Sequence, residues 1–196
     1  MDFFGKEAIY EWQTKDLRDR LITWQFGCGQ SYRSSCMAFD DIVKYGSDIM
    51  ETQLFADAFK QTHHNVSTVG EHTLHVAFKA LEIAYKRRRR GKLVNIEYVV
   101  QAALSHDLGI IGRYEKYANN LVCCFMHPID SSRIIRDMFP NIAYEVTAAI
   151  ENHMFPATII PPTTLTGKIL IKADKSAALR EVYFLRSRKV REVSAV

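Results

Sequence analysis

The sequence predicts an all-α fold, a single-domain helical bundle, and three observations support that prediction. Apolar residues recur at helical spacing along nearly the whole chain, and no long stretch alternates with the period of two that marks a half-buried strand. The 196 residues include only 9 Gly and 5 Pro, which is too few to separate many short strands. A hydrophobic fraction of 47% and a charged fraction of 24% are typical of a globular protein and exclude disordered and fibrous classes.

The first half of the chain predicts three helices. Two of them span 8–25 and 38–59, and a loop rich in Gly, Ser and Cys separates them at 27–36. Thr68 is followed three residues later by Glu71, which is the signature of a capping box. We therefore predict that a third helix begins there and runs to a cluster of arginines.

The second half predicts four more helices. Their predicted spans are 96 to about 107, 131–138, 141–153 and 166 to about 188. Asn95 and Asn141 are of a residue type favoured at the helix N-cap. The Pro161–Pro162 pair interrupts the chain before the last helix, which Thr166 opens.

No repeat, low-complexity segment or linker divides the chain. We predict N-terminal helices in 1–60 that pack on the bundle, a core in 61–185 and a basic C-terminal tail in 186–196. The N-terminus has neither the basic start nor the apolar stretch of a signal peptide, and no apolar run is long enough to span a membrane. These features predict a cytoplasmic protein with no membrane partner. The N-terminal helices could cover the bundle or form a homodimer interface.

The positive charge of the chain is local. The net charge is +4, and the run at 86–90 alone contributes five positive charges, so the rest of the chain carries −1. A nucleic-acid-binding protein usually spreads basic residues along a face, so the pattern argues against a nucleic-acid partner. The run precedes Gly91 at a predicted helix end, where cations complement the helix dipole. Its functional role stays open.

Histidines and aspartates lie on the inward faces of four predicted helices. They are His72, His106, Asp107, His153 and Asp174. A single buried residue of this kind is usually a satisfied core residue, but several in one core are costly unless they pair or bind a metal. Imidazole and carboxylate are ligands for Zn, Fe, Mn, Ni and Co. Helical bundles often build such sites in their interior.

The sequence resembles the HD-domain metal-dependent phosphohydrolases. His72 in EHTLHVA, His106–Asp107 in LSHDLG and Asp174 in IKADKSAAL match the ordered H…HD…D pattern of that family. His127 in MHPIDSS and His153 in ENHMFP match histidines of its binuclear members. The resemblance spans roughly 61–185 and is nearest to small, stand-alone bacterial HD proteins.

The resemblance implies a role for each of these residues. His72, His106, Asp107 and Asp174 would bind a first divalent ion, Asp107 would bridge, and His127 and His153 would bind a second. The ions would be one or two of Fe, Mn, Zn, Ni or Co. They would activate a water that cleaves a phosphate ester, so the chain would be a phosphomonoesterase or a phosphodiesterase acting on a nucleotide or another small molecule.

Four further residues are candidates for contact with the substrate phosphate. Lys175 follows Asp174 directly and could place an ammonium group near the phosphate, so we assign it a catalytic role beside Asp107. His64 matches a histidine of the small HD proteins, although it could equally be a surface loop residue. Arg113 and Lys116 follow the His-Asp motif closely and could bind the phosphate or remain ordinary exposed charges.

Two other functions use the same residues differently. Some HD proteins hold a di-iron centre and carry out oxygen-dependent chemistry, which six ligands would also permit. Alternatively, the domain could be a non-catalytic sensor of metal or nucleotide. Hydrolysis is the leading hypothesis, and we rank the sensor below catalysis because the ligand set is complete.

Overall fold

The computed structural model describes residues 19, 32–63 and 67–193, and the side chains of residues 19, 35–63 and 67–183. These residues form an all-α protein, which confirms the predicted fold class. The helices are α1 (Tyr32–Met50), α2 (Gln53–Ala58), α3 (Val69–Arg89), α4 (Ile96–Ser105), α5 (Arg113–Lys116), α6 (Asn120–Met138), α7 (Tyr144–Glu151) and α8 (Leu165–Val193). A short antiparallel hairpin of β1 (Thr62–His63) and β2 (Ser67–Thr68) precedes α3, and a 3-10 helix at Leu108–Ile110 follows α4.

Helix α4 is the centre of the bundle. It packs against α1, α3, α7 and α8. Its buried residues include Val100 and Leu104 as well as small alanines, so it buries side chains on most of its circumference. Gly46 of α1 lets that helix approach closely, since a Cβ there would lie 2.1 Å from a Leu104 methyl carbon. Among the described residues, no helix is both long and apolar enough to span a membrane.

Both ends of α3 are where the sequence predicts them. The Thr68 hydroxyl accepts a hydrogen bond from the Glu71 backbone, and the Glu71 carboxylate accepts one from the Thr68 backbone, so the predicted capping box is confirmed. The helix ends at Arg89, and Gly91 follows with a φ of 75°. Within the basic run, the Arg88 guanidinium donates to the Val94 carbonyl oxygen at 2.7 and 2.9 Å and thereby joins the helix end to the next segment.

The predicted continuous helix at 38–59 is wrong, because the chain breaks between α1 and α2. The Thr52 hydroxyl donates to the Ile49 carbonyl oxygen at the end of α1 and accepts from the Phe55 N–H at the start of α2. One side chain thus caps both helices. The predicted loop at 27–36 is also too long, since α1 already begins at Tyr32. The predicted helix at 8–25 lies, apart from residue 19, outside the described residues.

Three helix boundaries in the second half differ from the prediction. Helix α6 begins at Asn120 instead of residue 131, because the Asn119 side chain caps it and Pro128 is accommodated in its interior. Helix α7 is shorter than 141–153, since Ala143 and not Asn141 occupies the N-cap and a turn follows Glu151. Helix α8 continues to Val193, beyond the predicted end near residue 188.

Candidate metal centre

Five elements bring the predicted ligands together. His72 lies in the first turns of α3, and Asp174 lies in α8, which packs against α3. His106 and Asp107 occupy the sharp junction between α4 and the 3-10 helix. The other two are His127 in α6 and His153 in the turn after α7. The four histidines and Asp107 are buried, and the Asp174 side chain is 16% exposed.

Three of the histidines are oriented by backbone carbonyl groups. The Nδ1 of His106 donates to the Ala103 carbonyl oxygen at 2.8 Å. The Nδ1 atoms of His127 and His153 donate to carbonyl oxygens three or four residues earlier, each at 2.7 Å. Because a carbonyl oxygen only accepts, each Nδ1 carries a hydrogen, and Nε2 is the nitrogen left to bind a ligand in the neutral ring.

Asp107 lies between two sets of imidazoles. Its Oδ1 is 3.3 Å from His127 Nε2 and 3.5 Å from His153 Nε2. Its Oδ2 is 3.5 Å from His106 Nε2 and 3.9 Å from His72 Nε2. The two oxygens therefore face different pairs of histidines, which is the arrangement that a carboxylate bridging two ions requires.

The six predicted ligands form two clusters that each fit a divalent transition-metal ion, and His63 joins His72 and Asp107 in a third group of the same kind. His72, His106 and Asp174 form one cluster, and Asp107, His127 and His153 form the other. Within each cluster the donor atoms lie within 4.8 Å of one another. His106 Nε2 is fully buried and has no hydrogen-bond partner, which is unusual for a polar atom in a protein interior. A metal ion would satisfy it, and mixed imidazole and carboxylate donors suit such an ion.

The histidines around Asp107 favour the ionised form of its carboxylate. Burial raises the pKa of the Asp107 carboxyl, but the neighbouring His106, His127 and His153 outweigh burial and hold that pKa well below its usual value. Burial lowers the pKa of His127, but the hydrogen bond to Asp107 reverses this effect and raises it to about 10. Burial is dominant for His106, whose pKa is lowered, so its ring is neutral.

Close backbone packing positions Asp107 opposite α6. A Cβ on Gly109 would lie 2.5 Å from the His127 carbonyl oxygen and 2.6 Å from the Ser131 nitrogen. The Gly109 N–H donates to the Ser131 hydroxyl at 2.8 Å. Only glycine permits this approach, and it brings the 3-10 helix and the Asp107 before it against the helix that carries His127.

A cavity of about 880 Å³ opens onto the centre. Arg113 and Lys175 line it together with four of the predicted ligands, whereas Lys116 is exposed and does not line it. The Lys175 ammonium donates to the Phe155 carbonyl oxygen. The Arg113 side chain stacks 4.7 Å from the Tyr114 ring, and its buried Nε has no hydrogen-bond partner. The predicted His64 lies outside the described residues.

Sequence reasoning missed two residues of the site. His63 of β1 lines the cavity, and its ring contacts that of His72 at a tilt of 33°, with ring centroids 4.3 Å apart. Glu181 of α8 is only 3% exposed and contacts His72. Glu181 carried a signal, because it is seven residues after Asp174 and so lies on the same face of the helix. His63 carried none, since its placement depends on a two-residue strand.

The comparisons with known proteins agree with this geometry at the level of the family. A family model described as HD domain matches residues 69–179, which is more than half of the chain. The match contains all six predicted ligands. Neither the curated proteins nor the solved structures include a significant match to the chain.

Proposed function

The chain belongs to the HD domain family, and on that premise we propose that it is a metal-dependent hydrolase of phosphate esters. One observation above all supports this proposal. Four imidazoles and two carboxylates converge beside a cavity that four of them line, and Asp107 presents one oxygen to each of two histidine pairs. The family includes metal-dependent phosphohydrolases, which use such a ligand set.

Each of the two clusters would bind one ion. We assign one ion to His72, His106 and Asp174, and a second to His127 and His153, with Asp107 shared between them. Divalent ions at such positions activate water for attack and offset the charge that develops on the phosphoryl oxygens.

Arg113 and Lys175 supply the positive charge that a phosphate ester needs at the cavity wall. Both line the cavity, and neither forms an ion pair among those found in the described residues. An ammonium and a guanidinium group form the strong, charge-assisted hydrogen bonds that orient a phosphate. We assign them to substrate binding, and we propose that Lys175, the residue next to Asp174, contacts the reacting group.

The cavity limits the size of the substrate. Its volume of about 880 Å³ lies within the range usual for small-molecule sites. Ile110, Met154, Pro156 and Ala157 line it beside the charged residues, so an apolar or aromatic moiety would contact that wall. We therefore propose a small organic phosphate, such as a nucleotide, as the substrate.

The replacement Asp107→Ala tests the proposal. It removes the side chain that faces both clusters, so we expect loss of bound metal. Removing a residue that only supports a metal ligand already costs about 10- to 100-fold, so we expect hydrolysis to fall by about 100-fold or more. The assays are elemental analysis and hydrolysis of p-nitrophenyl phosphate and bis-p-nitrophenyl phosphate with Mn, Fe, Co, Ni or Zn.

The matched control is Asp41→Ala. Asp41 is also a partly buried carboxylate, and it accepts a hydrogen bond from the Tyr85 hydroxyl at 2.5 Å. It lies in α1, which carries none of the predicted ligands. Its replacement should leave metal content and turnover near wild type. Unaltered turnover in Asp107→Ala would contradict the proposal. So would a metal-loaded wild type that hydrolyses neither ester but consumes oxygen, a result that favours the di-iron alternative.

A further inference from the structure

His72 differs from the other three histidines in how its ring is oriented. Each of the others donates its Nδ1 hydrogen to a backbone carbonyl oxygen. His72 Nδ1 instead lies 3.1 and 3.2 Å from the two carboxylate oxygens of Glu181. The opposite nitrogen, Nε2, lies 3.2 Å from Asp174 Oδ1, on the side of the ring that faces the cluster of His72, His106 and Asp174.

Glu181 is itself held firmly. It lies on α8, which packs along α3, and its side chain is 2% exposed. His75 Nδ1 donates to Oε1 at 2.7 Å, and the Ser67 hydroxyl donates to Oε2 at 3.1 Å. Three donors from the hairpin and α3 therefore converge on one buried carboxylate, which leaves it little freedom to rotate away from His72.

We propose that Glu181 is a positioning residue that keeps the hydrogen of His72 on Nδ1, so that Nε2 is the nitrogen that binds metal. A carboxylate can only accept, so Nδ1 must donate to Glu181. An ion held by Asp174 would displace the hydrogen that Nε2 shares with that carboxylate, and the Nε2 lone pair would then bind the ion. A carboxylate behind a ligating histidine also raises the basicity of the imidazole. This inference rests on the metal binding of the proposed function.

The role of Glu181 is confined to one cluster. Among the predicted ligands, it hydrogen-bonds to His72, while His127 and His153 are oriented by Cys123 and Ile150. We therefore expect that a change at Glu181 weakens the ion held by His72, His106 and Asp174 and leaves the other ion unaffected.

The replacement Glu181→Gln tests this role with zinc as the probe. The side-chain amide of glutamine can donate to Nδ1, so the replacement allows His72 to move its hydrogen to Nε2. We expect zinc affinity at one position to fall about 10- to 100-fold, as is usual for a residue that supports a metal ligand. Titration calorimetry measures the affinity, and nitrogen-15 NMR of the imidazoles shows which His72 nitrogen carries the hydrogen.

Two further variants separate positioning from a general structural effect. Glu181→Asp keeps the charge in a shorter side chain and should retain the Nδ1 hydrogen with an intermediate affinity. Glu145→Gln is the matched control, because Glu145 also accepts a short hydrogen bond, from the Thr166 hydroxyl at 2.6 Å, and contacts none of the ligands. It should bind zinc as the wild type does.

The outcomes distinguish the inference from the function on which it rests. Wild-type zinc affinity together with an unchanged Nδ1–H signal in Glu181→Gln would overturn the role of Glu181 alone. Equal losses at both zinc positions would also overturn it, since that pattern indicates general loosening of the bundle. A wild-type chain that binds no divalent ion would overturn both the proposed function and this inference.

Discussion

Lys175 and Arg113 enter the cavity from different elements, and this separates them from Lys116. Lys175 is in α8 and Arg113 begins α5, and both line the cavity. Lys116 ends α5 but points to solvent. The sequence could not make this distinction, because Arg113 and Lys116 are three residues apart in the same segment.

This difference predicts unequal effects of three alanine replacements. Lys175→Ala and Arg113→Ala should each lower kcat/KM for a phosphate ester about 10- to 100-fold, because each removes a charge-assisted hydrogen bond of about 1.5–3 kcal/mol. Lys116→Ala, the control, should stay within about twofold of wild type, as expected for an exposed side chain without a partner in the site. Steady-state kinetics measures all three. Equal effects at Arg113 and Lys116 would contradict the assignment.

Helical periodicity predicts an inward direction for some of the candidate ligands. His72 and Asp174 lie inside helices, on faces that adjacent apolar residues mark as inward. His153 lies in the turn after α7, and its side chain is buried on the side of the bundle that the buried residues of α7 also face. His63 depends on the register of a hairpin that has too few residues to show a pattern. Its contact with His72 is therefore a tertiary property.

Element boundaries were less predictable than element existence. Thr52 has the side chain of a capping residue, but the apolar pattern around it continues, so periodicity favoured one helix where the structure has two. At Pro128 the structure is more continuous than the prediction, in which the helix begins only at residue 131. Proline usually ends a helix because it lacks an N–H and crowds the preceding turn, yet α6 continues through it for ten more residues.

The contact between the 3-10 helix and α6 supplies a prediction at the scale of the element. In Gly109→Ala the new methyl group would collide with the backbone at His127 and Ser131, which cannot move as a flexible side chain could. We expect a loss of about 1–3 kcal/mol in the free energy of unfolding, as for other overpacked sites. We also expect weaker zinc binding, because Asp107 would move away from His127. Urea unfolding and zinc titration measure the two effects.

Gly91→Ala is the control for that prediction. Gly91 has a positive φ of 75°, and no atom lies within 4 Å of the position that an alanine Cβ would occupy there. Alanine at this position therefore costs about 1–2 kcal/mol of backbone strain without a collision. Stability should fall in both variants, but zinc affinity only in Gly109→Ala. A Gly109→Ala protein with wild-type zinc affinity would contradict the view that this contact positions Asp107.

At the scale of the whole molecule, the fold and the centre depend on each other. Helix α4 packs against α1, α3, α7 and α8 and ends at Ser105, directly before His106, so the middle of the bundle is continuous with the site. That arrangement buries several ionisable side chains together, which lowers the stability of the fold. Opposite charges offset part of this cost: hydrogen bonds to Asp174 and Glu181 overcome the effect of burial on His72 and raise its pKa to about 10.

This coupling predicts that metal binding stabilises the entire domain. An ion that binds only the folded chain at 100 times its Kd adds about 2.7 kcal/mol to the free energy of unfolding. For a chain of this length each kcal/mol corresponds to about 2–4 °C, so Tm should rise by about 5–10 °C with zinc or manganese and fall again with EDTA. Calcium, which prefers oxygen ligands, should have little effect on a centre rich in imidazole. In Asp107→Ala the rise with zinc should be largely lost. A wild-type Tm that is the same with zinc and with EDTA would mean that the inward histidines and carboxylates are satisfied by one another, and that the centre is structural.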